Sequence, residues 1–325
     1  HNTGHQSAAE ATSGFGASGD AHSVRLAELP AGELHQRLAS PGICLRTGPF
    51  LVKVSSRVES FTRLFLRFYG QFPLMDAPAV ADYHVRISQV SGLRRWWHPQ
   101  VEFLLDSQAP FLPYPLSHAF PLFEWGLNWC IAMYAHQFLM LHSAAVERNG
   151  RVLLLPAWPG SGKSTLCAAL VSRGWRLFSD EFGLVQHEEG QLVPMPRPMP
   201  LKNQSIGVIR DFAPDAELGP DFLRTRKGTV AHLRSPDSSV HSASVHAPAA
   251  WIVFPRYTAG ANLRLESIAK PQAFVKLSNN SFNYRLLGEK GFHGVARLVR
   301  DCECYILSYG NLDEAIGAMN RLSEA

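Results

Sequence analysis

The chain has 325 residues, of which 46% are hydrophobic and 18% charged, so it is long enough for one large domain or two and can bury a substantial core. Its net charge of +4 is only mildly basic and no long block of like charges occurs, so charge does not indicate a nucleic-acid partner. The five cysteines are odd in number and lack zinc-site spacing, which favours free thiols and a cytoplasmic location.

The first third of the chain predicts a tail followed by a small α+β domain. Residues 1–23 are rich in Ser, Gly, Ala and His and nearly lack large apolar side chains, which predicts a disordered tail. Residues 24–120 then alternate short apolar runs with turns, and we expect strands over 50–54, 83–90 and 101–105 and a helix near 61–69. The basic-aromatic residues 94–97 favour a hairpin that packs two tryptophans on the next domain over a nucleic-acid contact.

A proline-rich linker precedes the second part of the chain, residues 121–325. The apolar residues 123–140 recur at helical spacing, and the polar residues among them exclude a membrane span and favour a buried helix. Apolar runs over 141–146 and 151–155 flank an Asn149-Gly150 pair, which is typical of a tight hairpin. We therefore expect two antiparallel strands in a mixed sheet, with His142 close to the loop that follows residue 155.

The strongest functional pattern lies in residues 151–180, where an apolar strand, a glycine-rich turn and an Ala- and Leu-rich helix follow one another. Glycines in such a turn let successive backbone N–H groups face phosphate oxygens, and the helix N-terminus adds the positive end of its dipole. The sequence matches the P-loop pattern, except that Ala157 replaces the first glycine. The predicted nucleotide-binding residues are Pro159, Gly160, Ser161, Gly162, Lys163, Ser164 and Thr165.

The chemistry of this pattern assigns roles to several side chains. Lys163 is expected at the β- and γ-phosphates, and the Ser164 hydroxyl is expected to take one position on Mg²⁺. Asp180 ends the next strand, where it can face the same metal or the attacking group. Four cations further along are candidates for stabilising a transferring phosphoryl group, with a solvated turn as the alternative for the basic loop near residue 227: Arg197, Lys202, Lys227 and Arg234.

Several motifs resemble the HPr kinase/phosphorylase family: a strand led by His142, a G-x-G-K-S loop, a helix ending in Arg173-Gly174, and the acid pair Asp180-Glu181. The closer resemblance is to the branch called HPr kinase-related kinase A, and it covers about residues 45–310. Its motifs in this chain are G-P-F at 48–50, E-W-G-L-N-W at 124–129, P-R-P-x-x-L-K-N at 196–203, K-G-T-V-A-H-L at 227–233, F-P-R-Y at 254–257 and N-S-F-N-Y at 280–284.

The resemblance implies an α/β fold, a P-loop kinase domain with a mixed β-sheet of HPr kinase/phosphoenolpyruvate carboxykinase type, and the sequence pattern places the smaller α+β domain before it. It implies ATP and Mg²⁺ as cofactors, Asp180 as the general base toward a serine hydroxyl, Glu181 in place of the second acid, and His142 near the phosphates. The predicted metal ligands are therefore Ser164, Asp180 and Glu181. The L-E-I-R-G-L-G signature of the true HPr enzymes is absent, so the resemblance does not identify the acceptor.

The resulting hypothesis is an ATP-dependent kinase that transfers the γ-phosphoryl group to a hydroxyl, with a serine of a protein or peptide as the expected acceptor. One alternative keeps the chemistry and changes the acceptor to a small molecule, such as a sugar or free serine. Another is a non-catalytic ATP-binding assembly protein. We expect no nucleic-acid partner and no membrane span, and the N-terminal domain is a candidate for docking substrate or pairing subunits in a homo-oligomer.

Overall fold

The computed structural model of the protein describes residues 24–76, 80–92, 96–158 and 160–324. The tail predicted over residues 1–23 lies outside these ranges. The described residues form an α/β structure in which helices pack on three β-sheets. Within these ranges, no helix combines the length and the apolar character that a membrane crossing needs.

The first sheet has the strand order β3-β1-β2-β4-β5-β6, and only its β2–β4 pairing is parallel. Its strands are β1 (Ile43–Thr47), β2 (Phe50–Ser56), β3 (Leu74–Met75), β4 (Tyr83–Gln89), β5 (Gln100–Leu105) and β6 (Tyr114–Pro115). The helices that accompany it are α1 (Ala31–Ala39), α2 (Glu59–Tyr69) and α3 (Ala119–Tyr134). The predicted strands and the predicted helix of this region are confirmed, because their apolar residues alternate or recur with the period of the element they form.

Helix α3 differs from its prediction. The helix expected over residues 123–140 begins at Ala119 and ends at Tyr134, and the chain from Phe138 onward is a strand. A continuous apolar run is compatible with a buried helix or a strand buried on both faces, so periodicity alone did not separate the two. Rings of Phe61 and Phe65 lie 5.3 and 5.6 Å from the Phe123 ring, so α3 shares one core with the first sheet.

The tryptophans of the predicted 94–97 hairpin are largely exposed, which does not agree with the predicted packing on the next domain. Trp96 is 71% exposed and Trp97 is 76% exposed. That packing prediction is wrong, and Arg94 and Arg95 lie outside the described residues.

The largest sheet has the order β11-β10-β7-β8-β15-β17-β16, with β9 paired to β7 as well. Its strands are β7 (Phe138–Arg148), β8 (Arg151–Pro156), β9 (Arg176–Ser179), β10 (Phe182–Gln186), β11 (Leu192–Val193), β15 (Ala249–Tyr257), β16 (Arg264–Ser267) and β17 (Glu303–Tyr309). Strand β15 is parallel to β8 and β17, whereas β7 is antiparallel to β8, so the predicted mixed sheet is confirmed.

Both faces of this sheet are covered by helices. Leu153 and Leu155 of β8 belong to one core cluster and Val152 and Leu154 to the other, which explains the uninterrupted apolar run of this strand. The first cluster includes α4 (Lys163–Ser172), α5 (Gln204–Phe212) and α10 (Leu312–Glu324). The second includes α7 (Lys270–Asn279) and α9 (Glu289–Asp301), and two short helices, α6 (Asp237–His241) and α8 (Tyr284–Leu287), lie at the periphery.

A third, antiparallel sheet has the order β12-β14-β13 and is formed by β12 (Met199–Lys202), β13 (Phe222–Thr225) and β14 (Gly228–Leu233). The basic segment at 224–229, predicted as a loop, is therefore part of the β13–β14 hairpin, in which Thr225 pairs with Gly228 and the register is irregular between Phe222 and Thr225. This hairpin brings residues that are distant in sequence from the glycine-rich turn into the same part of the molecule.

The predicted hairpin between β7 and β8 is confirmed. Asn149 and Gly150 have φ angles of 55° and 75°, the left-handed conformations that a two-residue type I′ turn requires. The register pairs Arg148 with Arg151 and Ser143 with Pro156, which places His142 one residue beyond the end of this ladder. His142 is thus beside the turn that follows β8, as predicted.

Candidate functional site

The turn between β8 and α4, residues 157–162, requires glycine at its last position. Gly162 has φ +87°, and a Cβ added there would lie 2.8 Å from the Tyr309 Oη and 2.9 Å from the Tyr257 Cβ. The backbone N–H of Tyr257 donates to the Ser161 carbonyl oxygen over 3.1 Å, so β15 holds the turn in place. Gly160 has a similar φ of +89° with no described atom within 4 Å of its hypothetical Cβ.

Helix α4 begins immediately after this turn, with Gly162 as its N-cap and no side chain of the described residues capping it. The first N–H groups of a helix have no intrahelical acceptor, and the helix dipole adds positive potential there. Lys163, Ser164 and Thr165 occupy this first turn. The sequence-predicted nucleotide residues are therefore contiguous at one helix N-terminus, except for Pro159, which lies outside the described residues.

The acid pair lies in a break between two collinear strands. Strand β9 ends at Ser179, opposite Ala145, and β10 begins at Phe182, opposite His142, on the same edge of β7. The Ser179 hydroxyl accepts hydrogen bonds from the backbone N–H groups of Glu181 and Phe182. This local turn removes Asp180 and Glu181 from the regular ladder and makes their side chains available to the helix N-terminus.

Lys163 is buried and contacts Asp180 instead of extending into solvent. Its Nζ donates to the backbone carbonyl oxygen of Asp180 and lies 3.8 Å from Oδ1 of the same residue. The two side chains are only 9% and 2% exposed. Burial disfavours the charge of Lys163, but Asp180 and Glu181 outweigh this effect and raise the lysine pKa, so the ammonium remains charged.

Asp180 is the least satisfied of these groups. Neither of its carboxylate oxygens accepts a hydrogen bond within the described part of the chain. Burial raises the pKa of the carboxyl above its usual value, and the charge of Lys163 offsets that rise only in part. A buried carboxylate without hydrogen-bond donors is costly for folding, so its presence is typical of a site that receives a ligand or a proton.

Glu181 has a different environment. Its Oε1 lies 3.5 Å from Nε2 of His142, and the backbone N–H of His142 donates to the Asn280 carbonyl oxygen over 2.6 Å. Although burial favours the neutral acid, Lys163 and His142 lower the pKa of Glu181 below its usual range. The two adjacent acids thus have pKa values shifted in opposite directions, with Glu181 ionised and Asp180 the better proton acceptor.

The residues predicted to hold Mg²⁺ are brought together. Asp180 and Glu181 are consecutive, and the Ser164 hydroxyl lies near enough to lower the pKa of Asp180, although it makes no regular hydrogen bond with the carboxylate. No cluster of three or more His, Cys, Asp or Glu ligands occurs in the ranges that the structure describes. Mg²⁺ commonly takes only one or two carboxylates and completes its shell with phosphate oxygens and water, so the unpartnered oxygens of Asp180 fit it.

The four predicted cations separate into two groups. The charge of Lys202 lowers the pKa of both Asp180 and Glu181, and Lys227 has its own pKa lowered by burial and by Lys202. The Lys227 Nζ lies 5.7 Å from the centroid of the Trp125 ring. These two lysines therefore act on the site that contains the acid pair.

Arg197 and Arg234 are engaged elsewhere. The Arg197 guanidinium binds the Glu124 carboxylate over 2.8 Å and also donates to the Tyr69 hydroxyl and the Asn128 side-chain oxygen. Arg234 binds Asp237 over 2.6 Å, lies 3.5 Å from Glu217 and donates to the Arg67 carbonyl oxygen. Arg197 lines the same cleft as Asp180 and Glu181. Arg234 belongs to a separate ion-pair network and does not line that cleft.

Sequence reasoning missed two sets of residues here. Tyr257 and Tyr309, at the ends of two parallel strands, enclose the backbone of Gly162, and only the pairing of β15 and β17 puts them there. A cleft beside Asp180 is also lined by Trp125 and His232. For the cleft the sequence offered two signals, because Trp125 lies in the motif at 124–129 and His232 in the motif at 227–233.

No protein-family model matches the chain, and no curated protein matches it significantly in sequence.

Proposed function

We propose that this protein is a Mg²⁺-ATP-dependent kinase that transfers the γ-phosphoryl group of ATP to a hydroxyl group, with a serine of a protein or peptide as the acceptor. The observation that carries this proposal is the buried contact between Lys163 and Asp180 at the N-terminus of α4. A cation held at an uncapped helix N-terminus suits phosphates, and a carboxylate with a raised pKa suits proton abstraction.

Different residues bind the phosphates, accept the proton and neutralise charge in the proposed transfer. The backbone of residues 160–165 and the Lys163 ammonium bind the phosphates and neutralise the charge that develops on them. The Asp180 carboxylate accepts the proton of the acceptor hydroxyl, whose oxygen then bonds to the γ-phosphorus while the bond to the ADP oxygen breaks. Lys202 and Lys227 add positive charge beside the transferring group.

Ser164 and Asp180 are the residues that would hold Mg²⁺, with Glu181 available as a further oxygen ligand. The ion would supply additional charge neutralisation at the phosphates. Glu181 also keeps His142 oriented through their 3.5 Å contact.

A phosphoryl-transfer assay tests the proposal. The full chain is incubated with γ-labelled ATP and Mg²⁺ and with separate peptide and metabolite pools, and Lys163→Ala serves as the matched control. We expect label on peptides containing serine and its loss in the control variant. Label on a sugar or on free serine instead would assign a small-molecule acceptor, and saturable ATP binding without transfer to any pool would replace the kinase by a nucleotide-dependent assembly protein.

A further inference from the structure

A narrow cleft lies beside Asp180, between α3 and the extended segment of residues 194–200. Its lining includes Asp180, Glu181, Trp125, Met195, Arg197 and His232. The Arg197 guanidinium is neutralised by Glu124, so this wall does not offer a free cation to an anionic ligand. The cleft therefore adjoins the acid pair without duplicating the phosphate-binding turn.

His232 has no structural role that accounts for its polarity. It lies on β14 and is 1% exposed, and neither ring nitrogen has a hydrogen-bond partner among the residues that the structure describes. Its neighbours are aromatic: the rings of Phe120, Phe222 and Phe68 lie 5.2, 6.2 and 6.4 Å from the imidazole. Nearly all buried polar groups have a partner, so two unpartnered nitrogens on a residue that lines a cleft indicate a ligand that the chain itself does not provide.

The charge state of His232 restricts that ligand. Burial, together with the positive charges of Arg197 and Lys202, lowers the pKa of the imidazole to about 3. At neutral pH the ring is uncharged, so one nitrogen donates a hydrogen bond and the other accepts one. A hydroxyl group can do the same, and it carries no charge that would have to be desolvated beside the aromatic neighbours of this ring.

The size of the cleft restricts the ligand further. Its free volume is about 20 Å³, which is room for one group of the size of a water molecule. Among hydroxyl-bearing acceptors, the hydroxymethyl group of a serine side chain comes nearest to this size. A threonine adds a methyl group at the same carbon, and a sugar ring is several times larger.

We propose that this cleft is the acceptor subsite and that His232 binds the hydroxymethyl group of a serine side chain beside Asp180. The inference rests on the kinase function proposed above and names the cleft and the residue that hold its acceptor. His232 holds the serine oxygen, Asp180 takes the hydroxyl proton, the oxygen bonds to the γ-phosphorus, and ADP leaves with the electron pair of the broken P–O bond. His232 keeps its own proton throughout.

Histidine NMR tests this subsite without requiring catalysis. The full chain, labelled with ¹⁵N in its histidine rings, is titrated with N-acetyl-L-serinamide in the presence of Mg²⁺ and a non-hydrolysable ATP analogue. The His232 signals are assigned by their loss in His232→Gln. If that variant does not fold, the ring is identified in the wild-type chain as the histidine that stays neutral to the lowest pH.

We expect a saturable shift of the His232 ring nitrogens with N-acetyl-L-serinamide, binding at least about 10-fold weaker for the threonine analogue, and no shift with the alanine analogue. Absence of a shift with the serine analogue, or an equal shift with the alanine analogue, would overturn the inference. The two proposals can fail independently of each other. If N-acetyl-L-serinamide binds saturably at His232 but no acceptor receives label from ATP, only the kinase proposal is contradicted. Label transfer without a His232 shift contradicts the subsite alone.

Discussion

Two buried ion pairs contribute residues to the lining of the cleft, and they differ in how completely their hydrogen bonds are satisfied. Arg197 and Glu124 are 2.8 Å apart, and Tyr69 and Asn128 complete their hydrogen bonds. Lys163 and the Asp180 carboxylate are 3.8 Å apart, and neither oxygen of that carboxylate accepts a hydrogen bond from a described residue. The first pair joins helices α2 and α3 to the segment that follows β11, whereas the second is left incomplete.

This difference in hydrogen bonding separates charges that stabilise the fold from charges that are available for function. Desolvating a buried charge costs several kcal/mol unless partners compensate it. A buried charge with a complete set of hydrogen bonds therefore indicates a structural role. An incomplete one indicates that a ligand supplies the missing contacts. By this criterion Arg197, a predicted catalytic cation, positions the cleft wall, and Asp180 is the candidate for chemistry.

The largest expected effect is on catalysis, in Asp180→Asn. We expect phosphoryl transfer to fall by about 10²–10⁴-fold, because the amide cannot accept the proton of the acceptor hydroxyl. ATP affinity, measured by calorimetry, should persist, because Lys163 and the helix N-terminus remain. Full transfer activity in this variant would remove Asp180 from the mechanism.

The same variant is not expected to destabilise the fold at neutral pH. Burial raises the pKa of Asp180 above its unfolded value, so its favourable contribution is present at low pH and is lost as the pH rises through the folded pKa. At pH 7 the neutral amide therefore replaces a charge that the fold disfavours. Thermal unfolding of the two proteins at pH 7 measures this.

Disrupting the satisfied pair should instead lower stability. Arg197→Met leaves the Glu124 carboxylate buried without its cation, and we expect the free energy of unfolding to fall by about 3–5 kcal/mol. The double variant Glu124→Gln, Arg197→Met removes both charges and should recover part of this loss. Urea denaturation compares the three proteins, and equal stability of the single variant and the wild type would contradict the structural role.

A matched pair of glycine variants tests the turn before α4. Ala at Gly160 or at Gly162 must adopt a left-handed φ, which costs about 1–2 kcal/mol. Only Gly162→Ala also brings a Cβ within 3 Å of Tyr309 and Tyr257. We expect ATP affinity to fall at least about 10-fold further in Gly162→Ala than in Gly160→Ala, which corresponds to about 1.4 kcal/mol. Equal losses in the two variants would mean that the tyrosines do not define the turn.

The pH dependence of stability should also reveal the buried imidazole of His232. The pKa of His232 is lowered from 6.5 to about 3 in the folded protein, so between these values the unfolded chain binds a proton that the folded chain does not. Wild-type stability should therefore decrease with falling pH by up to about 1.4 kcal/mol per pH unit from this group. His232→Gln lacks this proton, so the stability difference between the two proteins should narrow from pH 6 to pH 4. Parallel pH profiles in urea denaturation would contradict a buried neutral imidazole.

The sequence by itself determined the local elements and the first turn of the site. The hairpin with Asn149-Gly150, the buried strand β8, the turn with its left-handed glycines and the helix at Lys163 all follow from short-range conformational rules. Such rules act within a few residues, and they also placed Asp180 at a strand end. They did not separate helix from strand in residues 135–140, where burial on both faces removes the periodic signal.

Only the tertiary structure decided which of the distant cations and polar groups belong to the site. Arg197, Lys227 and Arg234 are alike as sequence, yet the fold pairs the first with Glu124, turns the second toward the acid pair and ties the third to Asp237. His232 acquired its significance in the same way, because a histidine in an apolar strand is unremarkable until its neighbours fail to hydrogen-bond it. Which side chains these residues contact depends on strand order and on the packing of α3. Both arise from long-range contacts that no local pattern encodes.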